Sequence, residues 1–570
     1  MRKTLFLVSA LAMLAGCATP PQRESTVGDY LAGRFAARTN DVERAASAFD
    51  GARADSSSAD VARHAFFFKI ASGDIDGAAQ LAGAILANDE EQDDDLARLA
   101  IAAKATKNGD YAQARDALQP GAVSAHFSAL FAIIDAWALD GLEGPEPALR
   151  ALAEKNDEMF RGFHPLHQAF LFEQAGLYDE ARTAYQLAML SYGGVVSRDA
   201  YGSFLERRGE TDAAREHYEL LAQYQGPDRQ LALKGMKRLD QGKTDKVWAK
   251  VTPAKGAAAA LYSFGGAVLQ QSIDERDAAE KAGFNVGDAN YDMPLAFTQI
   301  ALYLDPSFDH AQRLAGSILN AYGDNDRAIA ILQKIPASSP FYTQAQIEVA
   351  AGLVAREREA EALKRLRAAA KDPEALEAKF ALGNLLVSLG REREGVAAYG
   401  DLISRLPEDA PEDSWRFYVA RGAALIALDR WPDAEKDLKR AVEVAPKQAT
   451  ALNYLGYSWA ERGENIDEAF KLIEQAVAIE PNSGAFIDSL GWAHYQRGDY
   501  AEAVGHLEHA ASLEPGDPTV TDHLGDAYWR LGREKEAGYE WKRVLELEPD
   551  DKLRAAVEKK LKDGLPDDGK

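Results

Sequence analysis

His523–Pro549 reads HLGDAYWRLGREKEAGYEWKRVLELEP, and its glycine, alanine and proline return upstream in step. Glycine stands at Gly422, Gly456, Gly491 and Gly525, alanine at Ala434, Ala469, Ala503 and Ala537, proline at Pro446, Pro481, Pro515 and Pro549. Successive members are 34 or 35 residues apart. Alanine to proline is always 12, and glycine to alanine is 12 except from Gly456 to Ala469, where it is 13. That spacing predicts one extra residue in the turn Arg462–Asp467. Apolar residues keep helical spacing, as at Leu524, Ala527 and Tyr528, then Trp541, Val544 and Leu545. Each period therefore reads as a helical hairpin. Glycine and alanine mark where two antiparallel helices touch, since small side chains let axes approach to about 8–10 Å. Proline ends the second helix, because it can neither donate to nor fit inside a helix interior. A hairpin of this kind buries its apolar faces only by stacking on others, which predicts an all-α solenoid of about 10 to 13 units.

At this point a family resemblance is plain. Leu524, Gly525, Tyr528, Ala537, Trp541, Val544 and Pro549 occupy the signature positions of a tetratricopeptide repeat (TPR). Upstream, Leu382, Gly383, Tyr399 and Pro407 mark another unit, with an excess in the acidic linker Glu408–Asp413. Gly316, Ala328, Leu332 and Pro340 mark one more, and a degenerate unit lies around Ala345–Asp372. Nearer the N-terminus the 12 and 4 spacings persist in Gly33, Ala45 and Phe49; Ala102, Ala114 and Leu118; Ala169, Ala181 and Tyr185; and Gly202, Ala214 and Tyr218. Gly73, Gly109 and Gly209 are expected in turns between paired helices. The rhythm breaks once. Ala257–Ala260, Gly265 and Gly266 read as a first helix and Pro294–Pro306 as a second, with about 17 extra residues expected as an inserted loop over Ser272–Asp292. The expected organisation is 1–16 signal peptide, 17–26 tether, 27–240 degenerate repeats, 241–308 an irregular unit with the loop, 309–550 regular repeats, and 551–570 a C-terminal helix and charged tail.

The chain has 570 residues, 65 basic against 90 acidic, and a single cysteine. An acidic balance with no long basic run argues against nucleic acid, whose phosphates demand clustered Lys and Arg. One cysteine excludes an intrachain disulfide and a multi-thiolate metal site. That residue, Cys17, follows Arg2, Lys3, the apolar run Leu5–Leu14 and the small pair Ala15 and Gly16. The run is too short to span a bilayer, which takes about 20 residues, and reads as a signal peptide. Leu14-Ala15-Gly16-Cys17 resembles a bacterial lipobox, which implies an acylated Cys17 as the mature N-terminus and a membrane anchor. Ala18 after it implies sorting to the outer membrane, facing the periplasm.

Catalytic signatures are missing. No G-x-x-x-x-G-K-[ST], H-E-x-x-H or G-x-S-x-G occurs. The closest approach to a metal site is His506 and His509, one turn apart, with His494 and His523 in neighbouring units; His506 and His509 lie beside the packing positions Leu507 and Ala510 and read as helix surface. The acidic run Glu90–Asp95 lacks the glycine-centred spacing of a calcium loop. The expectation is a non-enzyme without metal or cofactor, whose function lies on its surface.

In the repeats this sequence resembles, the first helices line the inner face through their second, fifth, ninth, twelfth and thirteenth positions. Here these include Asn453, Tyr457, Asp488, Trp492, Tyr495, Asp522, Asp526, Trp529 and Arg530. Aromatics beside carboxylates suit an extended peptide. The chaperone-binding version of the repeat uses Lys at the fifth position and Asn at the ninth; Asp488 and Asp522 at the fifth imply that a ligand's terminal carboxylate is repelled and that basic or neutral segments fit. The lipobox, Tyr30–Arg34, Ile300–Pro306 and Asp488–Trp492 together resemble the large TPR lipoproteins of proteobacterial outer membranes. Some of these, the LbcA-type adaptors, bind and activate a carboxyl-terminal processing protease that degrades peptidoglycan hydrolases. The resemblance implies a scaffold or adaptor with protein partners of that kind; the alternative is a lipoprotein assisting assembly of outer-membrane or secretion complexes.

Overall fold

A computed structural model describes residues 26–54, 56, 58–88, 95–118, 127–154, 162–190, 194–224, 226–281 and 290–566. The signal segment, Cys17, the tether up to Ser25, and Glu90–Asp94 lie outside the described residues. Those described are all-α, with thirty helices and no strand. With Pro227–Asp240 and the C-terminal Asp551–Asp563 outside the hairpins, the other 28 described helices make up to fourteen consecutive pairs, just above the 10 to 13 units expected. Pairs without the glycine signature, such as Ala59–Ser72 with Ile75–Asn88 and Ser128–Glu143 with Pro145–Glu154, account for the difference. The chain divides into two compact units, residues 1–365 and 366–570.

The repeat spacing has a sharper cause than mutual contact of small residues. Each first-helix glycine makes room for the large side chain of the second helix four residues beyond the alanine. A Cβ on Gly491 would stand 2.7 Å from Leu507 Cγ, on Gly525 2.6 Å from Trp541 Cδ1, and on Gly33 3.0 Å from Phe49. Ala434, Ala469, Ala503 and Ala537 are fully buried beside them. The extra residue after Gly456 lies in the expected turn, where Gly463 (φ 67°) is followed by Asn465 (φ 46°), a second left-handed residue. Gly73, Gly109 and Gly209 take positive φ in their turns. Before Pro446, Pro481 and Pro515, the residues Ala445, Glu480 and Glu514 are driven out of the helical region to φ −136°, −126° and −123°.

Most of the expected inserted loop is helix. Pro253–Lys281 runs unbroken for 29 residues before the undescribed residues 282–289, and Asp292–Leu304 returns beside it. Gln270 to Asp274 (2.9 Å) and Gln271 to Glu275 (2.8 Å) hold the extension one turn apart. Within the first unit this hairpin packs on Ala59–Ser72, Asp95–Asn108 and Ser128–Glu143, the first helices of three other pairs. Ala257, Ala258, Ala259, Ala260 and Leu261 are all at most 1 % exposed. Five consecutive buried residues mean a helix covered all round. The small side chains permit it: a Cβ on Gly256 would fall inside the indole of Trp137. Phe264, Phe297 and Ile300 complete the plug, each contributing about 1.5–3 kcal/mol by burial. Polar ties fasten its flanks, from Trp248 Nε1 to Asp199 (2.8 Å), Gln174 to the Val251 carbonyl (3.1 Å), and Tyr303 to Asp76 (2.9 Å).

Candidate protein-binding face

In the second unit the nine residues expected on the first-helix face stand on three successive first helices, Ala449–Glu461, Gly484–Arg497 and Pro518–Arg530. These helices stack directly on one another. Asn453, Asp488 and Asp522 share one repeat position, and Tyr457, Trp492 and Asp526 another, so each trio runs along the stack.

The centre of the face is an aromatic pile. Trp492 lies between Tyr495 (ring centroids 4.6 Å, interplanar 5°) and His523 (4.1 Å, 17°). His523 Nδ1 donates to the Asp488 carboxylate, 3.0 Å from both oxygens. Burial pulls the His523 pKa down, but the charge and hydrogen bond of Asp488, with Asp522 and Asp526 beyond, raise it overall. Arg530 Nε donates to the Tyr495 hydroxyl (3.1 Å), and Tyr457 lies at the far side of His523, 6.4 Å between rings. Two buried atoms on this face have no partner in the protein, Trp492 Nε1 and Asn453 Oδ1.

The last repeat is closed by the chain itself. The helix Asp551–Asp563 buries Val557 against it and sends Lys560 Nζ to Asp522 (2.7 Å) and Asp526 (2.7 Å). Asp526 also accepts from Trp541 Nε1 (2.9 Å), and its pKa is raised by burial and by Asp522, against the pull of Lys560. Arg530 Nη1 donates to the Pro566 carbonyl (2.8 Å), and the backbone at Gly564 presses on Trp529 so closely that a Cβ there would overlap the indole. Asp522, Asp526, Trp529 and Arg530 thus share their face with the C-terminal segment. This changes the expected electrostatics: Asp488 is matched by His523 and the Asp522–Asp526 pair by Lys560, so the aspartates do not stand as bare charges toward a ligand. Sequence reasoning passed over both partners. Leu553, Val557, Lys560 and Leu561 recur at helical spacing, which was the available sign of a docking helix; His523 carried none, because its repeat equivalent is Ser489.

The other histidines behave differently from one another. His509 is exposed, whereas His506 is half-buried and stacks on His494 (5.2 Å, 13°), a pairing across two helices that i, i+3 spacing did not suggest. Among the described residues no group of three or more His, Cys, Asp or Glu is placed to hold a metal ion.

The tetratricopeptide repeat family profile matches residues 419–484 and 489–552. Over 73 residues the chain is 41% identical to the TPR repeat-containing protein PA4667 of Pseudomonas aeruginosa, a stretch covering 13% of this chain and 12% of that one. Over 97 residues it is 29% identical to the mitochondrial import receptor subunit TOM70 of Rattus norvegicus, covering 17% and 15% respectively. The chain thus spans about an eighth of the length of these curated relatives. Among solved structures, Cut9 with Hcn1 from an APC/C hetero-tetramer aligns at 15% identity with TM-score 0.38, over 95% of this chain and 97% of that one. A tetratricopeptide repeat protein from Parabacteroides merdae aligns at 18% with TM-score 0.36, over 44% and 96%. Neither structural likeness bears on partners. Residues 419–552, where hairpin geometry and family profile coincide, are thus similar to tetratricopeptide repeats, a fold that is in general an interaction scaffold.

Proposed function

We propose that this chain is a non-enzymatic scaffold, anchored by acylated Cys17 in the outer membrane and facing the periplasm, that binds protein partners on the first-helix face of its second unit. The finer reading is an adaptor that recruits and activates a carboxyl-terminal processing protease and presents peptidoglycan hydrolases to it. The observation that carries the binding site is the orphaned indole N–H of Trp492, held in a rigid stack with Tyr495 and His523. A buried donor without an acceptor costs about 1–3 kcal/mol; Trp492 Nε1 is shut off from solvent in the free chain, so a carbonyl of an extended partner segment recovers that cost only where the side chains over it move aside. Aromatic stacking fixes the ring itself before the partner arrives, so the ordering left to do lies in the side chains over it. With the acids already matched by His523 and Lys560, a neutral extended segment suits the face better than a basic one.

Affinity capture of the tagged full chain from crosslinked cells tests this, with Trp492→Phe and the Trp492→Ala, Trp529→Ala double variant run beside it. Trp492→Phe keeps the stack and removes the N–H. The expected result is a processing protease enriched by the native chain, weakened by about tenfold in Trp492→Phe, and lost in the double variant. Enrichment of outer-membrane assembly or secretion components instead moves the function to the alternative, and capture indifferent to Trp492 removes the site.

A further inference from the structure

The first and the last described repeats are finished differently. At the C-terminal end, Asp551–Asp563 buries Val557 inward and turns Lys552, Glu558, Lys559 and Lys562 outward, the polar finish that a terminal repeat needs. At the N-terminal end the first described helix, Thr26–Arg38, has no such cover. Val27, Leu31 and Phe35 are 67%, 60% and 54% exposed. They lie at i, i+4 and i+8, one continuous apolar stripe. The repeat frame explains why it is bare. Counting from Gly33, Leu31 and Phe35 hold the positions of Ser489 and Ala493, or of His523 and Ala527, in later repeats, and all four of those are buried against the preceding first helix. Helix Thr26–Arg38 has no preceding helix among the described residues.

We infer that this stripe is covered by a lipid surface, with helix Thr26–Arg38 lying in the bilayer interface. The inference rests on the lipid-anchor reading of Cys17 proposed above. Val27 is ten residue steps from Cys17, a reach of at most about 36 Å, so an anchored chain keeps the stripe within reach of the membrane. The intervening segment Ala18–Thr26 (ATPPQREST) holds no large apolar residue and cannot cover the stripe itself. Arg34 and Arg38 are exposed at the C-terminal end of the same stripe, in a chain of net charge −25. Arginines there reach lipid phosphates while the apolar residues enter the acyl boundary. The helix lies on the membrane and does not cross it: no helix among the described residues is long and apolar enough to span. Three apolar side chains are too few to hold a protein on a membrane; attached to an acyl anchor, they fix the orientation of the first repeat.

The test uses the lipidated full chain in vesicles of phosphatidylethanolamine and phosphatidylglycerol. Acylation of Cys17 is checked by mass spectrometry, and a Leu31→Cys variant carries an environment-sensitive fluorophore on its only free thiol. The expected result is blue-shifted emission and roughly a twofold or greater loss of intensity when doxyl-labelled lipid is included. A probe at Glu43→Cys, on the second helix, is expected to be unaffected. Converting Val27 and Phe35 to Ser in the Leu31→Cys chain is expected to abolish the quenching while leaving the protein on the vesicles. If Cys17 is acylated and the Leu31 probe stays water-like, the inference fails and the anchor stands. An unacylated Cys17 sinks both. Shielding of the probe that depends on protein concentration and not on lipid assigns the stripe to a second copy and overturns the inference.

Discussion

In the first unit the hairpin formed by Pro253–Lys281 and Asp292–Leu304 lies on the first helices of three pairs, with Ala257–Leu261 buried all round. In the second unit the equivalent face is closed only at its last repeat, and there by an ammonium between two carboxylates, Lys560 with Asp522 and Asp526. The same hairpin architecture thus meets one need in two ways. An apolar plug depends on shape and on the exclusion of water, and not on pH. An ionic closure depends on the protonation of its members, and leaves the neighbouring repeat, with its Trp492 stack, for a partner. Under the function proposed above, that difference gives the first unit a structural interior and the second unit the binding face.

The largest effect should come from breaking the plug. Gly256→Val places a branched side chain in the Trp137 indole, and overpacking of that severity costs about 3 kcal/mol or more. Hydrogen exchange is expected to accelerate over Asp95–Asn108, Ser128–Glu143 and Pro253–Lys281 together and to leave residues 449–546 unchanged. A silent Gly256→Val would mean that the hairpin does not fill the first-helix face. Next comes Lys560→Met, which keeps the length of the side chain and strands two buried aspartates, at a cost of about 3 kcal/mol near neutral pH. Asp526, its pKa already raised, takes up a proton in the variant, so the deficit should shrink as pH falls. Faster exchange confined to Pro518–Arg530 and Asp551–Asp563 is the expected readout; equal loss in both units would erase the distinction drawn above.

A smaller contrast sharpens the repeat geometry itself. A Cβ on Gly456 would stand 2.7 Å from Ile473 Cγ1 and 2.9 Å from the Ala469 carbonyl, the inner methylene of a stiff β-branched side chain and a backbone atom, neither of which yields cheaply. On Gly422 the nearest atoms are Leu438 Cδ2 and Cγ at 3.0 and 3.1 Å, and the carbonyl is 3.6 Å away. Replacing glycine with alanine inside a helix gains about 1 kcal/mol of propensity. Gly456→Ala is therefore expected to lose about 1–2 kcal/mol net, and Gly422→Ala to come out near zero. Local exchange rates over the two hairpins measure the difference, and equal effects would show that the glycines merely permit close axes.

The regular repeats were legible because their constraints are local and periodic: Gly491, Ala503 and Leu507 meet across one turn, so their spacing is written in the chain. The plug was not. Ala257–Ala260 looks like any first helix rich in small residues, and what distinguishes it is burial against residues more than a hundred positions away, which leaves no period. The extension through Ser272–Lys281 was misjudged for another reason, since its charges suggested a loop while its side chains pair one helical turn apart. Of the candidate face, the positions were legible from the frame. Their occupancy was not, because Lys560 lies 34 and 38 residues from its two aspartates, outside any repeat.

The least of the expected effects isolates the pile at the centre of the face. Burial lowers the pKa of His523, but Asp488, with Asp522 and Asp526 behind it, outweighs that and raises it above the ordinary value of about 6.5. The proton is bound more tightly in the folded chain. Its stabilisation is fully present below about pH 6.5 and is lost as pH rises through the raised, folded value. His523→Gln keeps a donor toward Asp488 but cannot titrate. The native chain should be the more stable at acid pH, by an amount that diminishes as pH climbs, with exchange over Gly484–Arg497 and Pro518–Arg530 reporting it after correction for intrinsic rates. Residues 253–304 supply the reference, since no histidine lies within that hairpin. A native-minus-variant difference that grew with pH would mean that His523 sits neutral against Trp492 and leaves the acids of the face unmatched. The charge balance of the face would then be reversed, and with it the preference for a neutral partner over a basic one.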